Sequence, residues 1–228
     1  MLRIFRGDFP AGSRLPAERH LARELGVDRT TLRMALKQLA RMGLLTARHG
    51  SGIEVSDYRL TGGLDVLAAM FSLDELPLEG SFIVEALDFW LESFSMMSAK
   101  ALARMSLEDM RDVERLLDSA IAARTDPEAR LALEMELQDE LARLSGGVLF
   151  RMLNNSTRTL RVRLMRLFAE TTDVTIWLEQ QKQMLRAAAL ERPDEEATRT
   201  AILRSLRPLT ARLRERLLFG KPRRDGRR

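Results

Sequence analysis

Residues 9–52 read FPAGSRLPAERHLARELGVDRTTLRMALKQLARMGLLTARHGSG, two short amphipathic segments around a glycine turn, then a strand pair with a basic, glycine-rich tip. Ser13 to Arg19 reads as a helix start, with Pro16 in the first turn, where its missing N–H costs nothing. Leu21 and Leu25 form an i, i+4 apolar pair expected to face inward. Gly26 supplies the turn, because it tolerates positive φ. Asp28 is placed to cap the next helix. Leu32, Leu36 and Leu39 mark a buried stripe there, with Ala35 and Ala40 beside it, while Arg29, Thr30, Arg33 and Lys37 project from the other side. Gly43 ends this helix, Leu44, Leu45 and Ala47 begin a strand, Arg48 to Gly52 make the turn, and Ile53 and Val55 return.

A helix, a glycine turn and a second helix with cations at its N-terminal end form the helix-turn-helix layout, and the hairpin after it is a wing. Charge agrees with that layout. Residues 1–60 carry eleven Lys and Arg against six Asp and Glu, whereas the remainder holds 26 basic against 27 acidic residues. The basic excess therefore sits in the segment with the DNA-binding pattern and suits a polyanionic partner. With 228 residues the chain has room for one large or two modest domains. It has no cysteine, so disulfides, thiolate metal sites and cysteine nucleophiles are excluded together. Neither a membrane-length apolar run nor a signal-peptide pattern is present, so no membrane partner and a cytoplasmic location are expected.

The stretch PAGSRLPAERHLARELGVDRTTLRMALKQLARMGLL and the segment RHGSGIEV resemble the GntR family of bacterial winged-helix regulators, over almost all of residues 7–56. The resemblance implies a double-stranded DNA operator as partner. It makes Arg19, Arg29 and Arg33 candidate base or phosphate readers, puts Thr30 and Thr31 on phosphates or base edges, and sends His49 and Gly50 into the minor groove. An arginine fork matches the O6 and N7 acceptors of guanine. His20, on the first helix, reads as a surface or packing residue. The chain departs from the family ahead of GDFPAGSRLP, where a full helix is replaced by Met1 to Arg6; either the natural start lies upstream or this helix is short.

Beyond residue 60 every long segment is helix-like. Helices are expected near 64–72, 79–103, 107–123, 127–145, 148–170, 173–191 and 194–218, with breaks at Pro77, Ser106, Pro127, Gly146-Gly147, Thr172 and Pro193. The expected fold is mainly α, an N-terminal winged helix-turn-helix with a small β-hairpin wing followed by an all-α C-terminal bundle. The expected division is a DNA-binding domain over 1–58, a linker helix over 59–74, a helical effector-binding and dimerisation domain over 75–219, and a basic tail, KPRRDGRR, to the end.

An all-helical C-terminal domain behind a GntR winged helix resembles the FadR subfamily, as do GLDVLAAMFSLD after the wing and the Ser145-Gly146-Gly147 break. That resemblance implies a homodimer on a palindromic operator and a small-molecule effector in the helical domain, long-chain acyl-CoA among the candidates. Relatives in the subfamily hold a divalent metal with an acidic residue and three histidines. Placed on that pattern, this chain has Glu134 at the acidic position and Gln138, Gln181 and Ser205 near the histidine positions. Amides and a hydroxyl bind zinc or nickel poorly, so no metal is expected; a metal-dependent sensor of small carboxylates and a regulator without ligand are the alternatives. An apolar tunnel could draw on Met96, Met97, Met105, Met152, Met165, Phe168, Trp177 and Met184. Arg158, Arg161, Arg163 and Arg166 form two i, i+3 pairs that could meet a phosphate or pair with Glu170 or Glu179. No nucleophile–base pair or phosphate loop points to an enzyme.

Overall fold

In the computed structural model the described residues are 1–48, 52–73, 75–191 and 194–220. The chain divides into two units, Met1–Pro77 and Leu78–Arg228. Residues 59–74, expected as a separate linker, thus belong with the N-terminal unit.

The N-terminal unit contains α1 (Leu2–Phe5), α2 (Glu18–Leu25), α3 (Arg29–Arg41), β1 (Leu45–Arg48), β2 (Gly52–Val55), α4 (Tyr58–Thr61) and α5 (Leu64–Ser72). The hairpin is antiparallel, pairing Leu45 with Val55 and Arg48 with Gly52. One expectation fails at its edge. Ser13 to Leu15, expected to open the helix that runs through Arg19, is instead non-helical chain lying along β2, entered by a turn at Gly12 (φ 80°). The Gly12 N–H donates to the Val55 carbonyl (2.8 Å), the Val55 N–H to Ser13 (2.9 Å) and the Leu15 N–H to Ile53 (2.9 Å). Pro16 explains this, because the residue before a proline is pushed out of the helical region. The helix starts two residues later, behind Ala17.

Gly26 closes α2 in the left-handed conformation, φ 67°. The Asp28 carboxylate then accepts the Thr31 N–H at 2.9 Å and the Thr31 hydroxyl at 2.6 Å, which caps α3. Leu21, Ala22, Leu32, Leu36, Leu44, Leu45 and Val55 are buried. Leu25 is 48% exposed, so the inward face of α2 is Leu21 with Ala22, not Leu21 with Leu25. Leu25 is the last residue before the chain turns away at Gly26. Ala35 and Ala40 are also exposed and Leu39 half-buried, so the stripe on α3 is narrower than expected. Four-residue α4, absent from the sequence reading, is held to the end of α3 by the Thr61 hydroxyl, which donates to the Gly43 carbonyl at 2.7 Å. Any Cβ at Gly43 would stand 2.6 Å from the Thr61 carbonyl oxygen. Short α1 is anchored by buried Ile4, by the Phe5 ring edge-on to Tyr58 at 5.2 Å and by an Arg3–Glu24 ion pair at 2.7 Å.

The C-terminal unit is α6 (Gly80–Arg104), α7 (Leu107–Ala122), α8 (Pro127–Leu144), α9 (Val148–Ser156), α10 (Arg158–Ala169), α11 (Val174–Glu191) and α12 (Glu195–Phe219). Its core is built on Leu87, Leu91, Leu117, Met135, Leu160, Leu164, Phe168, Leu178, Leu206 and Leu213. Helix starts follow their capping residues: Ser106 and Asp109 close a reciprocal capping box, Asp126 precedes Pro127, and Asp194 accepts two backbone N–H groups. Gly80 lets α6 and α12 touch, since a Cβ there would lie 1.9 Å from the Leu217 carbonyl oxygen.

The single helix expected over 148–170 is two helices, broken at Thr157 (φ −96°, ψ 9°). Asn154, Asn155, Ser156 and Thr157 are short polar residues that compete for backbone hydrogen bonds. The Thr157 hydroxyl donates back to the Leu153 carbonyl at 2.8 Å, and the Arg161 guanidinium donates to the Asn154 carbonyl at 3.0 Å. The Asn154 carbonyl at the break thus has a side-chain donor.

Candidate nucleic-acid interface and effector cavity

Helix α3 has a sharply divided surface. Leu32 and Leu36 are buried on one side, and Arg29, Thr30, Thr31, Arg33, Met34, Lys37, Gln38 and Arg41 are exposed. Arg19 is exposed on α2, as is His20. Among the described residues, Arg19, Arg29 and Lys37 have no ion-pair partner. The Arg33 Nε donates to Glu18 at 2.7 Å, a bridge from α3 to α2 that leaves both terminal amino groups for another acceptor. Thr31 is exposed beside Thr30 and has a further task at the helix cap. Its hydroxyl proton and its N–H both go to Asp28, so it holds the helix cap. These bonds to Thr31 hold the exposed Asp28 carboxyl below its ordinary value. His49 and Gly50 lie outside the described residues, as do Ser51 and the tail beyond Gly220. Sequence reasoning missed Met34, which is 62% exposed in the middle of the polar face. Its apolar character broke the pattern being sought.

The helical unit carries a cavity of about 200 Å³ between α6, α8, α9 and α10. Phe89, Trp90, Phe94, Met96, Met97, Phe150, Leu153 and Leu160 make its apolar wall, and Phe89 and Met96 bring its rim to the surface. At the polar end stand Gln138, Asn154 and Arg161. Arg161 is 3% exposed, and it donates to Gln138 Oε1 (3.1 Å) and to Asp139 (3.1 Å). Burial pulls its guanidinium below the ordinary arginine range, and the Asp139 carboxylate opposes that.

Of the residues expected to form a tunnel, Met96 and Met97 line this cavity. Trp177 and Met184 line a smaller one of about 30 Å³, and Met165 and Phe168 are plain core. Met152 is exposed. The arginine cluster is tied down by partners other than those expected: Arg158 and Arg161 both meet Asp139, and Arg166 meets Glu128. Glu170 instead pairs with Arg216. The long-range partners could not be read from helix spacing.

The donor set does not fit a transition metal. Glu134 is buried with Arg130 at 3.1 Å, and burial pushes its carboxyl up to about 7 against the pull of that cation. Gln138 Oε1 accepts from Trp90 and Arg161, and the Ser205 hydroxyl donates to the Ile202 carbonyl. Among the described residues no three His, Asp or Glu side chains converge.

Residues 2–55 match the family described as bacterial regulatory proteins, gntR family. The chain is 35% identical over 164 residues to the fatty acid metabolism regulator protein of Pasteurella multocida, covering 71% of this chain and 65% of that one. It is 33% identical over 168 residues to the protein of the same name from Pectobacterium carotovorum, covering 72% and 67%. With the Vibrio vulnificus protein of that name, identity rises to 49% over 71 residues, 31% of this chain and 25% of the other. The match thus spans about two thirds of the longer-matching relatives' length. Among solved structures, Lar, which controls the expression of the Listeria monocytogenes agr system and mediates virulence, covers 92% of this chain and 91% of its own, with a TM-score of 0.57 at 17% identity, a likeness of fold. With its winged helix, its helical C-terminal unit and these relatives, the chain belongs to the GntR family of bacterial regulatory proteins, on the FadR branch that holds the fatty acid metabolism regulators.

Proposed function

We propose that this protein is a transcription regulator of fatty acid metabolism that binds a palindromic operator as a homodimer and is released from it by a long-chain acyl-CoA. The observation that carries the DNA-binding part is the outward face of α3, where Arg29, Thr30 and Lys37 stand exposed opposite Leu32 and Leu36. An α-helix of this kind fits the major groove, and one module reads only a short half-site, which is why two copies are needed. Arg29, Thr30 and Arg33 are the proposed readers, Arg19 and Lys37 neutralise phosphates, and the wing residues His49 and Gly50 reach the minor groove.

The effector reading rests on the relatives' name and on the cavity of the helical unit. Its 200 Å³ exceeds the roughly 150 Å³ that holds benzene in an engineered core. It has space for the end of an acyl chain, the remainder lying along the apolar rim at Phe89 and Met96. Binding there changes DNA affinity only if the ligand favours one arrangement of the dimer over another.

Calorimetric titration with palmitoyl-CoA, with CoA and palmitate as controls, tests the effector. Saturable binding of the thioester together with its release of labelled operator is the expected result. Binding of none of the three would remove acyl-CoA from the proposal and leave the DNA-binding reading standing.

A further inference from the structure

Met34 is the one large apolar side chain set in the middle of the polar face of α3, at 62% exposure. Single exposed apolar residues are common on protein surfaces, so exposure alone carries nothing. Position does. Met34 is two residues from Leu32 and two from Leu36, both buried. At about 100° per residue it therefore points nearly opposite the buried stripe. Thr30 and Gln38 stand one turn away on either side, and Lys37 is its i+3 neighbour. The residue opposite the core-facing stripe is the one that goes deepest when such a helix enters a groove.

A thioether has no donor and is a feeble acceptor. Set against the hydrogen-bonding edge of a G·C pair it would strip water and return nothing. The major-groove floor offers one apolar group, the C5 methyl of thymine. On the DNA-binding role proposed above, on which this rests, we propose that Met34 is a specificity-determining residue that selects thymine at one position in each operator half-site by packing its side chain against the thymine methyl. Arg29 and Arg33 then read or clamp the neighbouring positions, and Met34 adds a preference that no hydrogen bond supplies.

The test removes the methyl and nothing else. Duplexes enriched from a random pool by the full-length protein define the operator. Each thymine is then replaced in turn by deoxyuridine, and affinity is measured by fluorescence anisotropy for the wild type, Met34→Gln and Met34→Leu. One symmetric thymine pair should show a penalty of about fourfold per half-site in the wild type, the worth of one buried methyl-sized group. Met34→Leu should keep that penalty and Met34→Gln should lose it, with unchanged melting temperatures because the side chain is exposed. Affinity indifferent to every deoxyuridine, or a penalty that persists in Met34→Gln, overturns the assignment while leaving the DNA-binding reading intact. Failure of the pool to yield any enriched sequence overturns both.

Discussion

The cations on the outward faces of α2 and α3 and a set of cations in the helical unit stand in opposite surroundings, although Arg3, Arg6 and Arg33 of the N-terminal unit are paired. In the N-terminal unit Arg19, Arg29 and Lys37 are exposed and carry no ion pair among the described residues. In the helical unit five arginines are matched to carboxylates far away in the chain: Arg166 to Glu128, Arg186 to Glu114, Arg199 to Glu92, Arg214 to Asp88 and Arg216 to Glu170. Composition counts both sets alike. Yet a cation with no protein partner stays available to a polyanion, whereas one already paired would give up its carboxylate to gain a phosphate. Net charge does not separate the units, since Met1–Pro77 carries 11 basic against 9 acidic residues and Leu78–Arg228 carries 26 against 24. What differs is that the cations named on α2 and α3 face outward unpaired, while those named in the helical unit tie helices together.

That contrast can be broken most severely at Arg161. Replacing it with Met should destabilise the helical unit by roughly 2–3 kcal/mol, because the buried Asn154 carbonyl loses its guanidinium donor and Gln138 Oε1 loses one of its two, whereas Asp139 keeps Arg158 and the Asn154 amide. Urea unfolding of the full chain reads this, and an unchanged midpoint would refute the structural role. A second effect comes from Glu134, whose carboxyl is raised from 4.5 to about 7. The folded state then holds a proton that the unfolded chain releases, so stability is fullest below about pH 4.5 and declines as pH rises through 7. Glu134→Gln should remove roughly 2 kcal/mol of that decline. Melting curves from pH 4 to 8 on both proteins decide it, and parallel profiles would contradict the assignment.

Smaller effects sharpen the comparison. Lys37→Ala should weaken DNA binding evenly across sequences and lower the slope of log affinity against log salt by about 1, leaving melting unchanged. A slope equal to that of the wild type would take Lys37 off the phosphate backbone. Arg166→Ala, which removes a pair exposed on both sides, should change stability by no more than about 0.5 kcal/mol and leave the salt slope alone. A change in that slope would show that the helical unit's arginines also meet DNA.

The sequence made the helix-turn-helix legible because its signals are local. Gly26, the Asp28 cap and the Leu32–Leu36 spacing each report on the residues next to them, and each is found as read. The helices of the C-terminal unit were legible for the same reason, down to the starts at Ser106 and Pro127. What escaped was decided by partners distant in the chain. Pro16 announces that Leu15 is not helical, but nothing near Ser13 announces the pairing with β2, and nothing near Arg161 announces Asp139. The break at Thr157 was readable from its four short polar residues, but the apolar spacing on either side masked it. The cavity could not be seen at all, since its wall comes from four helices and only Met96 and Met97 of the expected tunnel residues reach it.

Operator binding by Arg29→Ala tests most directly whether α3 enters the groove. The full-length protein and the variant are titrated against the same enriched duplex and against a scrambled duplex of equal length. Expected are a loss of roughly 1–3 kcal/mol on the enriched duplex, a much smaller loss on the scrambled one, and the same melting temperature. Equal affinity of the two proteins for the enriched duplex would contradict the placement of α3 in the groove.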